Sequence, residues 1–249
     1  MNLVNWSEKV SVLRDIINSS NNMVFFGGAG VSTESNIPDF RSPSGLYSER
    51  AGKKGFSPEE MLSYTYFMNY TEDFFDYYKN KLIYKDAEPN HAHLALAKLE
   101  QMGKLKAIIT QNIDGLHQKA GSKEVLELHG SVYRNYCMKC KKFFTLDYVL
   151  EFEGVPKCDR CGAIVKPDVV LYEESLDMDV MNKSIRYIKN ADLLIVAGTS
   201  LTVYPAAGLI RYFAGKNLVL INKTPTPYDN LASLVINESI GKTLKACLM

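Results

Sequence analysis

Apolar residues Trp6, Val10, Leu13 and Ile17 recur at intervals of four, three and four, one stripe along about three turns of helix. The all-apolar segment Met23-Val24-Phe25-Phe26 reads as a strand and runs into Gly27-Gly28-Ala29-Gly30. From Asp39 to Gly55 the chain is polar and glycine-bearing, with a Ser-Pro-Ser-Gly turn at 42–45. Ser57-Pro58-Glu59-Glu60 puts proline and acids in a first turn and opens a region rich in Tyr and Phe, read as two helices through Tyr84. A helix over 91–102 leads to a strand at 107–110, a polar loop, and a strand at 125–128. Later the alternation is regular: a strand at 169–172, a helix carrying Met178, Met181, Ile185 and Ile188, and a strand at 193–197. A helix over 205–214, a strand at 218–221, an apolar run over 231–236 and a short last helix complete it. Strands that are apolar at every position, such as Leu193-Leu194-Ile195-Val196-Ala197, belong to parallel sheets covered on both faces. The expected fold class is α/β, a Rossmann-like parallel sheet with helices on both faces, built from 1–45, 89–133 and 166–249. Insertions at 46–88 and 134–165 are expected to form a smaller lobe.

Charge removes several function classes. Lys plus Arg total 29 against 28 Asp plus Glu in 249 residues, for a net charge of +1. That balance argues against a nucleic-acid clamp or a polybasic membrane anchor. The start MNLVNWSEKV has no basic segment followed by an apolar core, so no secretory signal is expected, and no apolar run approaches a membrane span. The expected location is cytoplasmic.

Four of the five cysteines, Cys137, Cys140, Cys158 and Cys161, form C-x2-C-x17-C-x2-C. Reducing conditions disfavour disulfides, and two such knuckles at this separation have the spacing of a zinc ribbon. Four protein ligands leave no open coordination position, so one structural zinc per chain is expected. The insertion at 134–165 is then the ribbon and that at 46–88 its helical companion. Cys247 has no partner in the pattern and reads as a packed or exposed thiol.

The glycine segment after the first strand carries the next candidate chemistry. Gly28-Ala29-Gly30 offers a tight turn and backbone N–H groups for a pyrophosphate. The dehydrogenase fingerprint fails, because Thr33 stands where its third glycine belongs and no acid ends a second strand about twenty residues on. Alone, the loop fits a plain turn as well as a phosphate cradle. Phe40-Arg41 shortly after it adds a ring that can stack and a guanidinium that can neutralise phosphate.

Six motifs in order carry a family resemblance: Gly28-Ala29-Gly30-Val31-Ser32 with Ile37-Pro38-Asp39-Phe40-Arg41, Thr110-Gln111-Asn112-Ile113-Asp114-Gly115-Leu116-His117, Leu128-His129-Gly130-Ser131, the cysteine ribbon, Gly198-Thr199-Ser200-Leu201, and Ile221-Asn222. The chain resembles a sirtuin of the bacterial type with a single catalytic core, over about residues 8 to 245. The resemblance implies an NAD-dependent protein lysine deacetylase acting on acetylated proteins or peptides. In such enzymes the acyl oxygen of the modified lysine attacks the nicotinamide ribose of NAD, nicotinamide leaves, and a histidine takes a proton from a ribose hydroxyl on the way to O-acetyl-ADP-ribose.

By that resemblance His129 is the base, with Asn112 as its catalytic companion. Gly28, Ala29, Gly30, Thr33, Asp39, Phe40 and Arg41 serve the pyrophosphate and nicotinamide-ribose side. Gln111, Asn112, Ile113 and Asp114 hold the carboxamide and ribose, and Gly198, Thr199, Ser200, Asn222 and Ile240 the adenosine side. A capped helix start at Asn112 or Asp114 is an alternative reading of the same loop, compatible with binding. Among the four histidines, His91 and His93 fall at a helix start and are expected to be partly exposed, and His117 reads as a satisfied structural residue. Only His129 ends a buried-looking strand and precedes a glycine. Val169, Val170, Leu171 and Tyr172 would form the edge to which a peptide adds as a strand.

The chain departs from the family pattern where Phe-Gly-Glu is expected and Tyr172-Glu173-Glu174 stands. No tyrosine between Tyr64 and Tyr84 has an arginine three residues on, the pair that accompanies acidic acyl groups in this family, so short apolar acyl groups, acetyl first, are expected. The alternatives are mono-ADP-ribosyl transfer and a non-catalytic NAD or ADP-ribose binding module. No nucleic-acid or membrane partner is expected.

Overall fold

The computed structural model describes residues 5–43, 45–48 and 55–248. Residues 1–4, on which the reading of the chain's start partly rests, and Ser44 of the 42–45 turn lie outside the described residues. Helix α1 (Trp6–Ser19) begins with a capping box in which Asn5 Oδ1 accepts from Glu8 N–H and Glu8 Oε2 accepts from Asn5 N–H, both at 2.9 Å. Its stripe buries Val10, Leu13 and Ile17.

Six strands form a parallel sheet: β1 (Met23–Gly27), β2 (Leu105–Thr110), β3 (Val125–Glu127), β7 (Leu193–Ala197), β8 (Asn217–Ile221) and β9 (Leu234–Ile236), in the order β3-β2-β1-β7-β8-β9. The pleat divides β1 between two cores. Met23 and Phe25 pack with helices α1, α5 (His91–Gln101) and α9 (Ile240–Leu248), while Val24 and Phe26 pack with α8 (Met178–Asn190) and the 3-10 segment Ala206–Tyr212. The helix expected over 205–214 is therefore a 3-10 turn, with Gly208 in its middle weakening α propagation.

The Tyr- and Phe-rich insertion folds as three helices rather than two: α2 (Pro58–Met61), α3 (Tyr64–Asn69) and α4 (Thr71–Lys81). Ser63 makes the extra boundary, its hydroxyl accepting from Tyr66 N–H at 3.1 Å as an internal N-cap. Three short antiparallel strands, β4 (Gly130–Cys137), β5 (Phe143–Phe144) and β6 (Val165–Val169), flank helix α7 (Leu146–Glu151). Phe67, Phe74, Phe75 and Tyr78 share one apolar cluster with Val132, Phe144, Val149 and Val165. The helical insertion and the cysteine segment thus bury one core between them.

The strand expected at 169–172 is corrected. The regular strand is β6, which ends at Val169 and pairs antiparallel with β4 rather than joining the parallel sheet. Val170 then turns its N–H to His129 O at 3.0 Å, and Tyr172 makes one isolated bridge to Ser63. Among the described residues, no helix is long and apolar enough to cross a membrane.

Candidate active site

The strand order reverses at β1, which lies between β2 and β7. At such a switch point the loops beyond the carboxyl ends of the strands part and leave a crevice, the usual ligand position in open α/β sheets. Gly28, Gln111, Gly198 and Asn222 each follow directly on a strand that ends there.

The glycines press two of these loops together. Gly28 N–H donates to Ala197 O at 3.2 Å and Gly30 N–H to Gly198 O at 2.9 Å. A Cβ on Gly30 would lie 2.7 Å from Gly198 Cα, and Gly198 itself has φ of 62°, so both positions need glycine. This changes the expected role: the Gly28 and Gly30 N–H groups serve the neighbouring loop rather than standing free for a pyrophosphate. The chain continues through 3-10 turns, Ala29–Val31 and Thr33–Ser35, the Thr33 hydroxyl donating back to Gly30 O at 3.0 Å.

Polar side chains converge above this contact. Ser32 Oγ donates to Asp114 Oδ2 at 2.6 Å and accepts from Asn112 Nδ2 at 3.0 Å. Burial pushes the Asp114 carboxyl above its ordinary range, opposed by bonds from Ser32, Leu116 N–H and Asn112. Gln111 Nε2 donates to Thr199 Oγ1 at 3.0 Å, and Thr199 N–H to Asn222 Oδ1 at 3.0 Å. Ser200 Oγ lies 2.7 Å from Thr202 Oγ1. The helix-cap reading of the Gln-Asn-Ile-Asp loop is met only in part: Gly115 is the N-cap of α6 (Leu116–Lys119) and makes no side-chain cap bond, while Asp114 Oδ1, one residue earlier, accepts from Leu116 N–H at 2.9 Å. Ser32 lies outside the site residues that the sequence points to. Its only signal is its place at the end of the first motif, because its partners lie 80 and 82 residues away.

His129 stands where the two sheets join. Gly130 behind it has φ of 74°, and a Cβ there would lie 1.8 Å from Asp168 O, so only glycine passes. His129 Nδ1 lies 3.1 Å from Gln111 O. A carbonyl only accepts, so Nδ1 carries the proton and Nε2 keeps the basic lone pair. Burial lowers the His129 pKa from its ordinary value, with the Gln111 carbonyl opposing, which keeps the ring neutral near pH 7. Two of the other histidines differ from expectation, while His91 is exposed. His93 is fully buried rather than partly exposed, and His117, also buried, has a partner for neither ring nitrogen.

The remaining candidates divide. Asp39 Oδ1 accepts from Arg41 N–H at 3.1 Å and Ser42 N–H at 2.8 Å and so shapes its own loop. Phe40 meets Tyr47 edge-on at 5.4 Å, and the exposed Arg41 lies 5.6 Å from the same ring. Ile113 packs toward the small-lobe core. Ile240 is 3% exposed and sits in the core under the sheet with Val31 and Ile236, not on an open wall. Of the expected peptide edge, Val169 and Leu171 are buried in the small-lobe cluster and Tyr172 is exposed. The N–H groups of Val170, Leu171 and Tyr172 donate to His129 O, Glu174 Oε2 and Leu62 O, so they offer an incoming strand no free donors.

The four cysteines meet as their spacing predicts. Their sulfur atoms all lie within 4.8 Å of one another, with Cys137–Cys161 at 3.4 Å and Cys140–Cys158 at 3.6 Å. Bonds of about 2.3 Å in a tetrahedron put sulfurs roughly 3.8 Å apart, so the cluster fits one structural zinc. Lys141 and Gly162, one residue beyond each knuckle, take left-handed φ of 58° and 70° that turn the chain around the sulfurs.

Comparison with known proteins agrees with this geometry. The Sir2 family model matches residues 28–205. A protein of Clostridium tetani (strain Massachusetts / E88) named NAD-dependent protein deacetylase is 67% identical over 93% of this chain and 94% of its own length. A Clostridium acetobutylicum protein of the same name is 62% identical over 97% of this chain and 98% of its own. A solved Sir2 structure with a p53 peptide and NAD+ shares 39% identity over 95% of each chain, with a TM-score of 0.82. Another, Sir2Tm bound to a propionylated peptide, shares 39% identity over 95% of this chain and 96% of that one, with a TM-score of 0.83. With its crevice at the β1–β7 switch point, its four-cysteine cluster and these matches, the chain belongs to the Sir2 family.

Proposed function

We propose that this protein is an NAD-dependent protein lysine deacetylase that releases nicotinamide and O-acetyl-ADP-ribose. One observation carries the reading: a neutral histidine with its basic nitrogen uncommitted stands beside the Ser32–Asn112–Asp114 cluster, bonded to the residue that precedes it. A binding module needs no such base. The Clostridium relatives named for this activity support it.

The residues present fit a dinucleotide. Asn222 Nδ2 is buried without a partner, a donor that a ribose hydroxyl or phosphate oxygen would satisfy. NAD, when bound, supplies the electrophilic ribose and the nicotinamide leaving group. In this reading Asp114, held by Ser32, and the Ile113 backbone take the carboxamide, while Asn112 and Gln111 orient the ribose. Phe40 and Arg41 face the nicotinamide-ribose and phosphate side. Thr199, Ser200 and Asn222 take the adenosine side. His129 accepts a proton at Nε2 while Gln111 O fixes its tautomer. The Cys137, Cys140, Cys158 and Cys161 thiolates hold zinc away from this chemistry. The shared core of the two insertions supports treating 46–88 and 134–165 as one small domain. A cytoplasmic location belongs to the same proposal, supported by the even charge and the thiol cluster. Acetyl and similarly short apolar acyl groups are the expected substrates.

The test is to incubate the protein with NAD and an acetyl-lysine peptide and follow free nicotinamide. Peptide-dependent release is expected. Release without peptide would indicate ADP-ribosyl transfer or glycohydrolysis, and intact NAD a binding module.

A further inference from the structure

At Glu173 the backbone takes a conformation that favours glycine. Glu174 N–H donates to Leu171 O at 3.0 Å, closing a turn over 171–174 in which Glu173 is third, with φ of 76°. That region is unfavourable for a residue with a Cβ and is glycine's usual place in a turn. The side chain compensates. Glu173 Oε2 accepts from Thr65 N–H at 2.9 Å and from the Thr65 hydroxyl at 2.7 Å, and these bonds hold its carboxyl below the usual range. Thr65 is in the first turn of α3, so the N–H it offers has no partner within the helix.

The main chains run alongside. Tyr172 N–H donates to Leu62 O and Tyr64 N–H to Tyr172 O, each at 3.0 Å. At the other end Val170 N–H reaches His129 O. Segment 170–172 is thus strung between the helical insertion and the base, and the Glu173–Thr65 contact ties its far end.

We propose that Glu173 is a positioning residue for the acyl-lysine substrate: by gripping Thr65 it fixes segment 170–172, whose half-buried Val170 and exposed Tyr172 side chains, rather than its committed N–H groups, are what the peptide meets. The proposal rests on the deacetylase reading. Glu173 stands on the opposite end of this segment from His129, so the NAD side and the proton transfer are untouched by it.

Glu173→Gly relieves the backbone but releases the tie. The KM for an acetyl-lysine peptide is expected to rise about fivefold, with kcat within about twofold and the KM for NAD unchanged. Glu173→Gln still offers an oxygen to both Thr65 donors and restores most of the KM. Thr65→Val removes the hydroxyl bond but keeps the Thr65 N–H bond, so it reproduces part of the Glu173→Gly effect, and the two are not additive. Amide exchange at Tyr64 and Tyr172, which needs no turnover, speeds by a similar factor in Glu173→Gly. An active wild type with unmoved peptide KM or unmoved exchange in Glu173→Gly overturns the proposal alone, as does a KM for NAD that rises in step. A wild type without peptide-dependent nicotinamide release overturns the deacetylase reading and the proposal with it.

Discussion

Acid should loosen this protein through two histidines that lie beneath the cleft. The His93 and His117 rings are buried with centroids 4.8 Å apart, and the edge of Phe25 covers His117 at 6.2 Å. Asn90 N–H donates to His93 Nδ1 at 3.2 Å, so His93 is neutral with its hydrogen on Nε2. The Asn90 amide also donates to Val31 O at 2.8 Å and Ser35 Oγ at 2.9 Å, which links the pair to the glycine loop. Burial pushes the His93 pKa from 6.5 down to about 4, and burial with repulsion from His93 pushes His117 well below 6.5. Above 6.5 both rings are neutral, folded or unfolded. Below it the unfolded chain binds protons that the native state refuses, so stability falls with pH until about 4 for His93. At about pH 5 the His93 ring contributes roughly 2 kcal/mol of this loss, against a typical total stability of about 5–15 kcal/mol, and His117 adds to it in the same direction. Urea unfolding at about pH 7.5 and pH 5 measures it, comparing wild type with His93→Gln and His117→Gln. The fixed cost of each substitution cancels in the difference between the two pH values. Between the two pH values His93→Gln should lose roughly 2 kcal/mol less than the wild type, and His117→Gln should also lose less than the wild type. Variants that lose as much as the wild type would refute the reasoning.

Four further outcomes are expected. His129→Ala should abolish deacetylation of the peptide while calorimetry still detects NAD binding; turnover near the wild-type rate would remove His129 from its role. Because burial lowers the His129 pKa, the acid limb of kcat/KM should have its midpoint below 6.5, which a pH–rate profile reads. Elemental analysis should find about one zinc per chain, and chelation should unfold the β4–β6 lobe, seen as lost near-UV circular dichroism from its tyrosines. Gly30→Ala forces a Cβ to within 2.7 Å of Gly198 Cα and should cost about 1–3 kcal/mol by denaturant unfolding, with weaker NAD binding.

Features set by near neighbours in the chain are legible in the sequence. The stripe of α1, the apolar runs of β1, β7 and β8, the proline-led start of α2 and the paired knuckles around Cys137 and Cys158 each follow from residues a few positions apart. The order of motifs likewise places Asn112, Asp114 and His129 just past strand ends. The tertiary structure decides whatever depends on residues far apart in the chain. It turns the Gly28 and Gly30 N–H groups toward the loop after β7, and it draws 165–169 into an antiparallel sheet because β4 is its nearest partner. It buries His93 against His117, seals Ile240 into the core, and sets Glu34 Oε2 on Gly241 N–H at 2.6 Å at the head of α9. Glu173 shows the division most plainly. From the sequence it reads only as a missing glycine, because a partner 108 residues away leaves no trace in local spacing, whereas the folded chain supplies Thr65 and makes the conformation tolerable.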